Sequence, residues 1–297
     1  MVKARYVSIG KGGMKIFNKE KEKIPEVVKK IIAESDIILE VLDARFPKET
    51  QNKEIEDYIK SKGKKIIYIL NKSDLIESMK KSFLFPSIYV SSKKRNGGRI
   101  LRDRIKIEAK KIKKDKITVG VIGYPNTGKS SLINLLIGKS SARFSAEAGF
   151  TKGVQKLRLS PKILLLDSPG VIPNEEYSTT GKFSGKHAEI GVKTYDKIKD
   201  PEIMVAELMK KYPHIIENFY KIDTEGDSEI LLEKLGKQKR FFKKGGEVNT
   251  DTSARLILKD WQMGNIKVKN SKFLADEKLL AKSWLSKKDD ESFSYLQ

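Results

Sequence analysis

Cysteine is absent from all 297 residues, which excludes disulfides, thiolate zinc sites and cysteine nucleophiles. No hydrophobic run approaches the roughly 18 apolar residues that a membrane-spanning helix needs. The first residues, MVKARYVSIGKGGMKIF, carry charge but lack the long apolar core and small-residue cleavage site of a signal peptide. A cytoplasmic protein with no membrane partner is therefore expected. Negative charge is also in short supply: 39 acidic residues face 61 basic ones, a net charge of +22. Such a bias suits a polyanionic partner, most simply nucleic acid. The competing reading is a solvated lysine-rich surface of the kind that heat-adapted proteins use.

The length suits two domains, at about 100–200 residues each. Apolar, β-branched runs ending in polar turn signals recur through the first two thirds. They are DIILEVLD (Asp36 to Asp43), KIIYIL (Lys65 to Leu70), SIYVSS (Ser87 to Ser92), ITVGVIG (Ile117 to Gly123), VQKLRLS (Val154 to Ser160) and KILLLD (Lys162 to Asp167). Most are continuous rather than alternating, as in strands covered on both faces. The last two, separated only by Pro161, read as a hairpin at a sheet edge. Helical spacing appears between Pro25 and Ala33, from Leu101 through Ile112, and from Ser130 to Ile137. Strands alternating with helices predict an α/β fold with a mostly parallel sheet and helices on both faces. After about Asp200 only helical patterns remain, several opening on Asp or Ser and closing on Gly. The expected organisation is an α/β domain at 1–190, a small all-α domain at 199–270 and a tail at 271–297.

The segment GYPNTGKS (Gly123 to Ser130) fits G-x-x-x-x-G-K-[ST] and lies between a buried strand and a helix, the context that gives the pattern meaning. Gly123 and Gly128 let the backbone turn its N–H groups toward phosphates. Lys129 can neutralise the β/γ oxygens and the Ser130 hydroxyl can bind Mg²⁺. Asn126, Thr127 and Ser131 complete this loop as expected nucleotide contacts. In DSPG (Asp167 to Gly170), Asp167 can reach the metal through water and the Gly170 N–H can sense a γ-phosphate. Thr151, in AGFTKG between these segments, is the expected third metal ligand. The catalytic set expected from the sequence is Lys129, Thr151 and Gly170.

LNKSDL (Leu70 to Leu75) supplies the base-reading chemistry. The Asp74 carboxylate can accept two hydrogen bonds from guanine N1–H and N2–H₂, a pattern that adenine does not offer. Asn71 braces the loop, and the Lys72 stem can lie along the purine face. SSK (Ser91, Ser92, Lys93) would offer a backbone N–H to guanine O6. Both segments follow buried strands, where ligands of a parallel sheet gather. The order along the chain is unusual, with the base-reading elements before the phosphate loop. A parallel sheet tolerates any order of connection provided the loops meet at one edge. A helix of about 20 residues within Lys93 to Lys116, reaching about 30 Å, can rejoin the halves. The expected fold is thus a circularly permuted P-loop GTPase domain followed by the helical domain.

LDARFP (Leu42 to Pro47), LNKSDL, GYPNTGKSSLIN, DSPGV and KKGGEVNTDTSARLILKDWQMGNI (Lys243 to Ile266) together resemble the YlqF/RbgA family of circularly permuted GTPases, in the family's order and across nearly the whole chain. The resemblance implies GTP hydrolysis with Mg²⁺, coupled to binding of a large ribosomal subunit precursor, with the helical domain on rRNA. It gives Asp43-Ala44-Arg45 structural and partner-docking roles. A monomer is the expected state. Two departures stand out. Val171 occupies the position of the water-orienting glutamine of Ras-like enzymes, where the family also has an apolar residue. The N-terminal Pro-Gly-His-Met segment of some members corresponds to GKGGMK (Gly10 to Lys15), without histidine. The two histidines are His187, which could approach the phosphate but better suits a surface or core role, and His214. In related GTPases an asparagine at the position of Asn126 helps bind K⁺, which would offset transition-state charge.

Two stretches could meet RNA. Lys93 to Lys116 holds twelve basic and three acidic residues, and Lys237 to Gly246 interleaves Phe241 and Phe242 with five basic residues. For the phenylalanines, burial in the helical core is the favoured expectation over base stacking. The alternatives to a ribosome-assembly GTPase are an RNA-binding scaffold that holds GTP with negligible turnover, and a GTPase of another RNA process such as tRNA modification.

Overall fold

The computed structural model describes residues 6–8, 15–17, 24–76, 82–138, 155–173, 176 and 184–267. A short antiparallel pair, β1 (Tyr6–Ser8) and β2 (Lys15–Phe17), stands apart from a six-stranded sheet. That sheet is built from β3 (Ile37–Asp43), β4 (Lys65–Asn71), β5 (Ser87–Tyr89), β6 (Ile117–Gly123), β7 (Gln155–Ser160) and β8 (Ile163–Asp167), in the order β5-β4-β3-β6-β8-β7. All pairings are parallel except the β7–β8 edge hairpin.

The apolar runs are continuous because both faces are covered. On one face α4 (Gly98–Lys110) and α5 (Lys129–Ile137) send Leu101, Ile105, Leu132 and Leu136 against Ile37, Leu39, Val119 and Leu165. On the other, past the single turn of α2 (Pro47–Thr50), α1 (Glu26–Glu34) and α3 (Lys53–Ser61) place Ile31, Ile32, Ile55 and Ile59 against Ile38, Leu42 and Ile122. Burying chains of this size stabilises by about 1.5–3 kcal/mol each. The α3 helix was not anticipated in the sequence. Its signal is Asn52, whose side chain accepts from the Ile55 N–H, followed by apolar residues four apart.

The connecting helix is shorter than expected: α4 has 13 residues, or about 20 Å. After Lys110 the chain tightens into a turn, with the Lys111 and Ile112 N–H groups on the Glu108 and Ala109 carbonyls, and Ile112 still packs on the core. Asp36 then draws the chain in, pairing with Lys114 at 2.6 Å and accepting the Thr118 N–H at 2.9 Å, so that β6 lies beside β3.

Parallel pairing brings the strand ends to one rim. Asp43 is in register with Asn71, Val41 with Gly123, and Val121 with Asp167. Beside that rim sits a helical layer of α6 (Ser184–Glu189), α7 (Pro201–Lys211), α8 (Ile215–Tyr220), α9 (Ser228–Lys239) and α10 (Thr250–Met263). Asp227 and Asn249 cap α9 and α10 through their side chains, and Gly264, at φ 76°, ends α10. The apolar core of this layer, including Leu208, Leu235, Ile257 and Trp261, also takes in Phe46 and Tyr124 from the sheet rim. Among the described residues no strand follows Asp167, and no helix is long and apolar enough to cross a membrane. The segment expected as a tail lies outside the described residues.

Candidate nucleotide site

Asn71, the last residue of β4, is buried and joins three stretches of chain. Its amide nitrogen donates to the Thr127 carbonyl at 2.9 Å, while its oxygen accepts the Ser92 N–H at 3.2 Å and the Ser92 hydroxyl at 2.9 Å. The phosphate loop, 56 residues later in sequence, is thereby bonded to the base-reading loop. The packing leaves no slack. A Cβ on Gly128 would lie 2.4 Å from the Asn71 amide nitrogen, and one on Gly123 would lie 2.3 Å from the Val41 carbonyl.

At one end of the rim, the Ser91 hydroxyl donates to Asp74 Oδ1 at 2.6 Å and accepts the Lys94 N–H at 3.0 Å. The Asp74 carboxylate is thus oriented before any ligand arrives. Lys72, in the left-handed region at φ 61°, turns its ammonium back to Asp43 Oδ2 at 2.8 Å. Its stem must therefore span from its own backbone to Asp43. Lys93 is exposed in the turn that follows. Asp43 and Arg45 are both buried, so the partner-docking role expected for them is incorrect. A chain of bonds inside the protein satisfies them instead. Burial alone would raise the Asp43 carboxyl, but the charges of Arg45 and Lys72 outweigh it and hold the group well below the usual carboxylate range.

At the other end, Lys129 folds back on its own loop and donates to the Gly123 and Tyr124 carbonyls at 3.0 and 2.8 Å. Burial of the ammonium, only partly offset by Asp167, lowers its pKa to about 8. The Ser130 hydroxyl donates to Asp167 Oδ2 at 3.2 Å, and the buried Oδ1 of Asp167 has no hydrogen-bond partner among the described residues. Burial raises the Asp167 carboxyl against the pull of Ser130 and Lys129. These groups line a cavity of about 880 Å³ with Asn126, Gly128, Ser131 and Gly170. The backbone of Gly170 lies against the loop, because a Cβ there would sit 2.7 Å from Pro125 Cα. The hydroxyl of Thr127 donates to Tyr124 O, inside the turn. Thr151 lies outside the described residues, as do most of the residues matched to the family's N-terminal segment.

The Asn126 amide nitrogen donates to the Gly191 carbonyl at 2.6 Å, between α6 and α7. His187 does not line the cavity. Its Nε2 pairs with Glu176 Oε2 at 2.8 Å, while Glu176 Oε1 accepts from the Tyr124 hydroxyl at 2.8 Å and from Lys186 at 2.5 Å. Burial would raise the Glu176 carboxyl, but these donors bring it below its ordinary value. Nothing local in the sequence marked Glu176 or Tyr124. His214 is exposed at the start of α8.

Comparison with known proteins agrees with this geometry. Residues 118–234 match a family described as "50S ribosome-binding GTPase". An uncharacterized GTP-binding protein, MJ1464 of Methanocaldococcus jannaschii, is 38% identical over 262 residues, covering 85% of this chain and 68% of that protein. Nucleolar GTP-binding protein 2 of Neurospora crassa is 32% identical over 84% of the chain, and the guanine nucleotide-binding protein-like NSN1 of Arabidopsis thaliana is 33% identical over 84%. The matches span 42% and 48% of those two longer proteins. Among solved structures, GNP-bound YlqF from T. maritima superposes over 80% of this chain and 92% of its own, with a TM-score of 0.56 at 20% identity. That likeness bears on the fold.

Proposed function

The chain belongs to the family of circularly permuted GTPases, and from that premise we propose that it binds and hydrolyses GTP while acting on rRNA in an assembling large ribosomal subunit. The observation that carries this reading is the Asn71 bridge, which puts a base-reading loop and a phosphate loop on one rim. Asp74 would read guanine with Ser91, Ser92 and Lys93, and the Lys72 stem would cover the purine face. The amides of Asn126 to Ser131 would cradle the phosphates. Lys129 would leave its loop carbonyls for the β/γ oxygens, and Gly170 would sense the γ-phosphate.

Ser130 and Asp167 suit Mg²⁺, since a hydroxyl and a carboxylate with an unpartnered buried oxygen are hard oxygen donors. Thr151 is the proposed third ligand, and the ion would supply positive charge to offset that of the phosphates. Val171 is buried, with its N–H on Gly123 O, so the side chain after Gly170 does not orient water. Asn126 bonds a carbonyl through its amide nitrogen, which leaves its oxygen as the acceptor for K⁺ beside the phosphates.

Two surfaces support an RNA partner. The outer face of α4 is rich in Lys and Arg, and the turn after α9 exposes Lys239, Arg240, Lys243 and Lys244. Phe242 in that turn is 51% exposed rather than buried, which suits stacking on an unpaired base. A hydrolysis assay with and without large subunits, run in K⁺ and in Na⁺, tests the proposal. Turnover is expected to rise with the particle and with K⁺. Equal rates in the two salts would remove K⁺, and no turnover with particles would favour the GTP-holding scaffold. Co-sedimentation with tRNA rather than with subunit precursors would move the function to another RNA process.

A further inference from the structure

The purine end is tied to the helical layer through buried side chains. Asp43 is fully buried at the end of the central strand. Arg45 grips it with two bonds, Nε to Oδ1 at 3.0 Å and Nη2 to Oδ2 at 2.7 Å, and Lys72 shares Oδ2 at 2.8 Å. The third arm of the same guanidinium, Nη1, donates to the Trp261 carbonyl in the last turn of α10 at 3.0 Å. That carbonyl also accepts the Gly264 N–H at 3.0 Å, and it lies at the negative end of the helix dipole, which favours a cation. A second contact runs in parallel. A Cβ on Gly264, which caps α10, would lie 2.6 Å from both methyl carbons of Leu75, the residue after Asp74. Phe46, next to Arg45, stacks on the Trp261 ring at 6.3 Å.

We propose that Asp43 and Arg45 are positioning residues for the purine-reading loop, and that through them the end of α10 forms part of the guanine site. The inference rests on the reading of Asp74 as the guanine acceptor. Arg45 holds Asp43, Asp43 fixes the Lys72 ammonium, and the loop between Lys72 and Leu75 is pinned at both ends by α10. Purine occupancy and the position of α10 are then linked, and the linkage is reciprocal. The purine is common to GTP and GDP, so this route does not require a γ-phosphate.

The test compares GDP with IDP, which lacks the 2-amino group that Asp74 would read, in equilibrium binding to the full chain. Arg45→Lys removes the fork and keeps the charge. Gly264→Ala presses on Leu75 from within the helical layer, without changing any residue of LNKSDL. Both variants are expected to lower the preference for GDP over IDP by about tenfold, the value of a misaligned bond to a carboxylate. General destabilisation would weaken both ligands alike and leave the ratio unchanged. The chain has two tryptophans, so Trp284→Phe leaves Trp261 as sole reporter, and its emission is expected to shift with GDP in the parent and not in Arg45→Lys. A wild-type chain that does not prefer GDP to IDP would defeat the assignment of Asp74 itself. A wild-type preference that survives in both variants would overturn the relay alone.

Discussion

At the end of the rim expected to read the purine, side-chain bonds already pair Asn71 with Ser92, Asp74 with Ser91 and Lys72 with Asp43. At the end expected to hold phosphates, the Lys129 ammonium is bonded to two carbonyls of its own loop, and among the described residues the buried Oδ1 of Asp167 has no hydrogen-bond partner. The difference fits the roles proposed for the two ends. Reading a neutral base depends on placing a few acceptors accurately, so their positions are fixed in advance. Binding a polyanion depends on charge, so the phosphate end can wait for ligand and metal to draw its groups together.

Lys129→Ala should give the largest effect. Removing a buried cation from its anionic partner costs about 2–5 kcal/mol, so GDP affinity should fall about a hundredfold or more while the preference for GDP over IDP stays intact. A change in that preference would mean the two ends are not separable. Asn71→Ala should damage both ends at once, because the Thr127 carbonyl and the Ser92 donors lose their partner. A loss of about 1–3 kcal/mol in thermal or denaturant unfolding is expected, together with weaker guanine selectivity.

The pH dependence sharpens the contrast. With the Lys129 pKa at about 8 in the ligand-free protein, GDP affinity should drop about tenfold between pH 7 and 9 as the charged form is lost. The ligand-free protein should gain stability as pH rises above 8, because the unfolded chain keeps that proton to higher pH. Lys129→Arg should flatten the binding profile across this range.

The smallest effect lies beneath the purine end, in β3. Two acids on that strand shift in opposite directions. Asp43 has two cations and is depressed, whereas burial and the neighbouring Glu56 raise Glu40 well above its ordinary value. Glu40 therefore costs stability as pH rises from the normal carboxylate range toward its folded pKa. Glu40→Gln should add about 1 kcal/mol at neutral pH, and the gain should vanish in acid, as urea titrations at two pH values would reveal.

Much of this architecture could be read from the chain alone, for a physical reason. Doubly covered strands demand unbroken apolar runs, and LNKSDL and GYPNTGKS follow two of those runs, so their location at one rim was legible. The residues that were missed act through distant partners. Tyr124, Glu176, Lys186 and His187 form one polar cluster from three separate stretches, and no local pattern records such a meeting. The docking role expected for Arg45 came with the family resemblance, and the packing of α10 over the side chain makes it internal. Phe242 was misjudged for the converse reason, since the turn after α9 carries it outward.

Exchanging Asp74 for asparagine, with affinities then measured for GDP and XDP, probes the permuted cleft most directly. The amide offers one donor and one acceptor where the carboxylate offers two acceptors, which complements the 2-oxo group of xanthine in place of the 2-amino group of guanine. Preference should pass from GDP to XDP, with the phosphate contacts at Lys129 untouched. A variant that still favours GDP as strongly as the parent would mean that the base lies elsewhere, and that the shuffled loops do not share one ligand.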